Sequence, residues 1–131
     1  MSRVITLANQ IASALADYHA GVQFIPDFRL NQAEDMQIVV VPAGTEFKAL
    51  SRATYEEKPC VHLGFIKRAT EDNVPQLITF TQNLGKSFLN RRFDECICTN
   101  VVYDPIYSPT HLREKGLFVS IIELTFKAAG Q

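Results

Sequence analysis

The sequence is 131 residues long, 14.7 kDa, near the commonest size for one domain, so a single hydrophobic core spanning 1–131 is expected. With 47% hydrophobic and 21% charged residues and only 6 Gly and 6 Pro, the composition excludes a disordered tail and a collagen-like repeat. Thirteen Lys and Arg against fourteen Asp and Glu leave a net charge of −1, which gives no broad attraction to phosphate backbones or anionic lipid; no sequence-specific nucleic acid and no membrane partner is expected.

Val4, Leu7, Ala8, Ile11, Ala12, Leu15 and Tyr18 recur at helical spacing and predict an amphipathic helix over Arg3–His19, with Ser2 as N-cap and Gly21 as stop. The period then changes to two, predicting a strand over Val22–Leu30 edged by Pro26, and the polar run Asn31–Asp35 predicts a surface loop. Met36–Val41 is a β-branched run that predicts a second strand closed by a turn at Pro42-Ala43-Gly44. Thr45–Thr54 predicts a third strand, and Tyr55–Pro59 is charged enough to predict a solvated connection. Cys60–Arg68 then predicts a half-buried strand with Val61, Leu63, Phe65 and Lys67 on one face and Cys60, His62, Gly64 and Ile66 on the other.

Thr70-Glu71-Asp72-Asn73 offers caps and negative charge for a helix running from Val74 to about Arg92, inside which Gly85 predicts a kink or a close contact. Phe93–Tyr103 reads as a strand, and Asp104–Pro109 as an ordered loop imposed by two prolines. The long alternating segment Gly116–Lys127 is the last strand. Together these elements predict an α+β fold, a mostly antiparallel sheet covered on one face by two helices.

No apolar run reaches the roughly 18 residues of a membrane span, and the N-terminus lacks the pattern of a secretory signal, so synthesis in the cytoplasm is expected. Three cysteines, an odd number, are read as free thiols. Cys60-x-His62 and Cys96-x-Cys98 could offer four soft ligands if their strands were neighbours, but pairs two apart on a straight strand suit a tetrahedron poorly. Buried free cysteines are the expectation, with no metal and no cofactor. His19 is placed at a helix end and His111 beside Ser108 and Thr110, neither within a catalytic motif, and no catalytic residues or enzyme activity are expected.

Two features suit contacts. Tyr103, Ile106, Tyr107 and Leu112 put large apolar groups into a Pro-rich stretch, which either folds back over the core or reaches a neighbouring subunit. Arg91 and Arg92 form a basic doublet, largely neutralised by Asp94 and Glu95, that could line an opening through which nucleic acid passes unread.

The strand ending Phe28-Arg29-Leu30, the strand Gln37–Val41 with Pro42-Ala43-Gly44, the charged cap near Glu71, and Tyr103-Asp104-Pro105-Ile106-Tyr107 with Pro109-x-His111-Leu112 before a long strand resemble small neck and tail-completion proteins of long-tailed phages and prophages. The resemblance implies a tail terminator-like subunit that forms a ring, commonly a hexamer, completes the tail tube and joins it to the head. Its implied partners are its own copies, the tail tube protein and the head-completion protein, and its implied place is the virion. It supplies no role for Cys60, Cys96 and Cys98. The reading from another class is a small cytoplasmic ligand-binding domain or enzyme, with His62 and the thiols in a pocket between sheet and helices.

Overall fold

The computed structural model describes residues 2–24 and 36–130. Among them, one six-stranded mixed sheet and three α-helices make an α+β fold. The elements are α1 (Arg3–Ala14), β1 (Gly21–Val22), β2 (Met36–Ala49), β3 (Tyr55–Arg68), α2 (Val74–Lys86), β4 (Arg92–Phe93), β5 (Cys96–Tyr103), α3 (Pro109–Lys115) and β6 (Leu117–Gly130). The strands lie in the order β1-β2-β3-β6-β5-β4. Only β1 against β2 is parallel among the described pairings.

Alternation along β2, β3 and β6 divides the apolar residues between two faces. Ile38, Val40, Val61, Leu63, Phe65, Phe118, Ile122, Leu124 and Phe126 meet Leu7, Ala8 and Ile11 of α1 and Val74 and Leu77 of α2 in the main core. Phe65 anchors it, with ring centroids 5.3 Å from Phe80 and 6.0 Å from Phe118. On the opposite face Val39, Ile66, Leu117 and Val119 form a smaller cluster. The two faces predicted for Cys60–Arg68 are those observed.

Several boundaries differ from the sequence expectation. The first helix ends at Ala14 and passes into a 3-10 turn over Ala16–Tyr18, and His19, at φ 56°, makes the left-handed turn assigned to Gly21. Of the expected strand Val22–Leu30, only Val22 lies in a described strand, β1, and Gln23 and Phe24 follow it outside any strand; residues 25–30 and the expected loop at 31–35 lie outside the described residues. Pro42-Ala43-Gly44 is not a turn but an irregularity within β2, where the register against β3 shifts between Pro42 and Gly44. A bulge accommodates a proline that cannot donate to a ladder. Thr45–Thr54 is therefore not a separate strand: its first half completes β2, and Leu50–Thr54 is the hairpin turn, closed by Leu50 N–H donating to Thr54 O at 3.1 Å.

Tyr55–Pro59, expected as a connection, begins β3. Its charge misled because Glu57 is an inward residue, 6% exposed, matched by Arg3 of α1 at 2.9 Å. The second helix stops at Lys86, and a turn carries the chain through Asn90, at φ 64°, into β4. The strand expected over Phe93–Tyr103 is a hairpin, β4 and β5, with Asp94 at φ 54° in its turn.

The connection after β5 also holds α3, a helix absent from the sequence expectation. Ser108 caps it, its hydroxyl accepting from His111 N–H at 3.3 Å, Pro109 opens it, and Gly116 ends it at φ 63°. Between β5 and α3 the chain follows β6: Asp104 N–H donates to Ile121 O, Ile121 N–H to Pro105 O and Ser108 N–H to Val119 O, at 3.0, 3.1 and 3.0 Å. The Asp104–Pro105 peptide is cis.

Candidate functional site

The connection 101–116 is held onto the chain's own core. Tyr103, Tyr107 and Leu112 are each half-buried and packed against the main cluster. The Tyr103 hydroxyl donates to Gln82 O of α2 at 2.5 Å, and its ring lies across Gly85. A Cβ at Gly85 would stand 2.4 Å from that hydroxyl oxygen, so glycine there permits a close approach of strand and helix. Burial raises the Tyr103 pKa above its ordinary value. Tyr107 stacks on Phe118, with centroids 6.0 Å apart and an interplanar angle of 14°. Ile106 is half-buried.

What these side chains leave exposed lines two grooves beside α2. One, about 670 Å³, lies between the start of α2 and α3 and is lined by Thr70, Glu71, Val74, Tyr107, Leu112 and Arg113, among others. The other, about 370 Å³, is lined by Gln82, Asn83, Lys86, Leu89, Val101 and Tyr103. Leu89, 42% exposed, stands at its edge. Tyr103 and Leu89 thus meet in the groove at the end of α2, and Tyr107 and Leu112 in the groove at its start. Leu89 falls within the helix expected to reach about Arg92; α2 ends at Lys86, so Leu89 lies in the turn that follows and is exposed.

Arg91 and Arg92 are adjacent in sequence but not equivalent in setting. The Arg91 guanidinium lies 5.3 Å from the Phe88 ring centroid and 5.0 Å from that of Phe93, a cation–π arrangement that fixes its direction. Arg92 is exposed at the start of β4, opposite Ile97.

The sulfur and imidazole groups do not converge. Cys96 and Cys98 point into the main core, whereas Cys60 and His62 share the opposite face of β3, and β6 lies between β3 and β5. A pocket between sheet and helices therefore cannot contain His62 and Cys60, which corrects the placement expected in the ligand-binding reading. His62 instead sits 3.7 Å from Glu123 across the strand pair. Burial pushes the thiols of Cys60, Cys96 and Cys98 up. Among the described residues no group of three or more His, Cys, Asp or Glu is placed to hold a metal ion. No described helix is long and apolar enough to cross a membrane.

A polar node ties α1 to the sheet. Arg3 donates through Nε to Glu57 at 2.9 Å and through a terminal nitrogen to Glu95 at 3.1 Å, and the Thr45 hydroxyl donates to Glu57 at 3.5 Å. Gln10 adds a bond to Asp94 in the β4–β5 turn. The hydrogen bond to Glu95, more than that to Glu57, holds the Arg3 guanidinium even more firmly protonated than usual. This node is structural: each charge has its partner.

No protein-family model matches the sequence, and no curated protein matches it.

Proposed function

We propose that the chain is a structural subunit of a phage or prophage neck or tail: it forms a ring of its own copies, possessing six members in the expected form, completes the tail tube and joins it to the head. It acts by shape and assembly and not as an enzyme. The observation that supports this best is a pair of grooves at the two ends of α2, one of about 370 Å³ lined by Leu89 and Tyr103 and one of about 670 Å³ lined by Tyr107 and Leu112. Apolar surface in grooves with polar rims suits a heterologous contact, which repeats around an axis until it closes.

In this reading α1 and α2 cover one sheet face, and the half-exposed part of the opposite face at His62, Glu123 and Thr125 stacks on the tube protein or the head-completion protein. Ile106, Tyr107, Leu112 and Tyr103 supply the subunit contact. Arg91, aimed by two phenylalanine rings, and Arg92 border the opening, where a small cluster of positive charge eases passage of DNA without reading it. The protein is made in the bacterial cytoplasm and resides in the virion.

Leu89→Lys is the deciding variant, because Leu89 is exposed and outside the core. Negative-stain electron microscopy of the purified wild-type chain is expected to show closed rings that this variant abolishes while its circular dichroism is unchanged. Rings that persist in Leu89→Lys, or their absence in the wild type, contradict the proposal.

A further inference from the structure

Among the described residues, the outer half of β2 is an open sheet edge. β1 pairs only with Val39 and Val40, and no other described strand lies on that side, yet β2 continues to Ala49. Every residue from Ala43 to Ala49 is exposed. Such an edge presents a row of N–H and C=O groups to any strand that can match it.

Side chains along the edge specify the match. Glu46 and Lys48 stand opposite Lys58 and Glu56 of β3, on the face that also carries Cys60 and His62. Glu56 already engages Lys58 at 3.4 Å and Lys127 at 3.3 Å, whereas neither Glu46 nor Lys48 has an ion pair with a described residue. On the other face Phe47 is 60% exposed and meets the Tyr55 ring edge-on at 5.6 Å.

We propose that two copies of this chain pair antiparallel along this edge, about a two-fold axis at Phe47. That register sets Glu46 opposite the partner subunit's Lys48, and Lys48 opposite the partner subunit's Glu46. Thr45 then faces the partner subunit's Ala49. The two Phe47 rings become cross-strand neighbours and, with each Tyr55, form a row of four aromatic rings on one face of a continuous sheet. Opposite charges and paired aromatics directly across a ladder are its stabilising units. The two neighbouring registers of the same face are disfavoured. Sliding it by two residues one way sets Glu46 against its own copy, and the other way sets Lys48 against its own copy. The contact is isologous, so it closes on itself as a dimer and is separate from the heterologous contact of a ring.

The test is sedimentation equilibrium of the full chain in the Leu89→Lys background, where the proposed ring contact is removed and only the edge contact is read. The expected mass rises with concentration from 14.7 kDa to twice that value. Glu46→Lys and Lys48→Glu, each alone, put like charges across the axis twice and are expected to weaken the dimer about tenfold. The combined exchange Glu46→Lys/Lys48→Glu restores the cross-axis pairs and the dimer, although it leaves like charges opposite Lys58 and Glu56 within each chain. That contrast separates the interface from intramolecular strain, and circular dichroism verifies the fold of each variant. A monomer at all concentrations, a dimer insensitive to either single exchange, or a double exchange no better than the singles would overturn the inference. Rings of the wild type seen alongside any of those results would leave the ring proposal standing.

Discussion

Gly85→Ala is the sharpest probe of how the connection 101–116 is held. In a helix interior such a change stabilises by about 0.5–1 kcal/mol, because glycine loses more backbone freedom on folding. Here the added Cβ would lie 2.4 Å from the Tyr103 hydroxyl oxygen, 2.9 Å from Cζ and 3.0 Å from Cε1. The ring must leave α2, which loses the hydrogen bond to Gln82 O, worth about 1 kcal/mol, and adds a repacking cost of about 1–3 kcal/mol. The net expectation is destabilisation by about 1–3 kcal/mol. In a Tyr103→Ala background the obstruction is gone, and the same change should stabilise by about 0.5–1 kcal/mol. Urea unfolding reads both, since 1 kcal/mol moves the midpoint by roughly 0.3–1 M at the usual slopes. The sign reversal is a coupling of about 2–4 kcal/mol between touching residues. Equal effects of Gly85→Ala in the two backgrounds would refute the claim that Tyr103 is packed onto the helix.

Tyr103 also has a pH signature. Burial raises its folded pKa, so the stability it contributes is complete below the unfolded value of about 10 and is lost as the pH rises through the folded value; urea midpoints of Tyr103→Phe should decline less between pH 9 and 11, by roughly the interval of one tyrosine titration, than those of the wild type. Arg3→Ala strands the buried Glu57 with Thr45 as its remaining partner and should cost about 2 kcal/mol in thermal or urea unfolding, whereas Glu95→Ala, which removes an exposed partner, should cost less than about 1 kcal/mol. Burial raises all three thiol pKa values, so a disulfide reagent at neutral pH should modify the native chain slowly and the urea-unfolded chain quickly; fast modification of Cys96 or Cys98 in a native Cys60→Ser variant would contradict their placement in the core.

Regular periodicity made part of this fold legible. The apolar stripe of α1, the alternation of Cys60–Arg68 and the long last strand are all present, because each buries a repeating set of side chains in one place. Errors arose where local composition and tertiary setting disagree. Glu56-Glu57-Lys58 looks solvated, but Arg3, 54 residues from Glu57, makes that segment a strand. Pro42 looks like a terminator, but at a bulge on an outer edge it interrupts nothing. The third helix carried a readable signal, Ser108 as cap, Pro109 at the first position, Arg113 and Lys115 in the last turn and Gly116 as stop, which was outweighed by the expectation that two prolines mean a loop. Among the contact candidates, the sequence identified the apolar character of Tyr103, Tyr107 and Leu112. It could not show that half of each is spent on the chain's own core. The edge of β2 was illegible for a related reason: an unpaired strand is defined by which neighbour is missing, and neighbours are tertiary facts.

Self-assembly into a closed ring is open to native mass spectrometry of the purified chain, from low to high micromolar concentration. The proposed ring gives one dominant closed species, six copies of the 14.7 kDa subunit or two such rings joined through their β2 edges, and that species is lost in Leu89→Lys. Monomers and dimers alone across the whole range would contradict it.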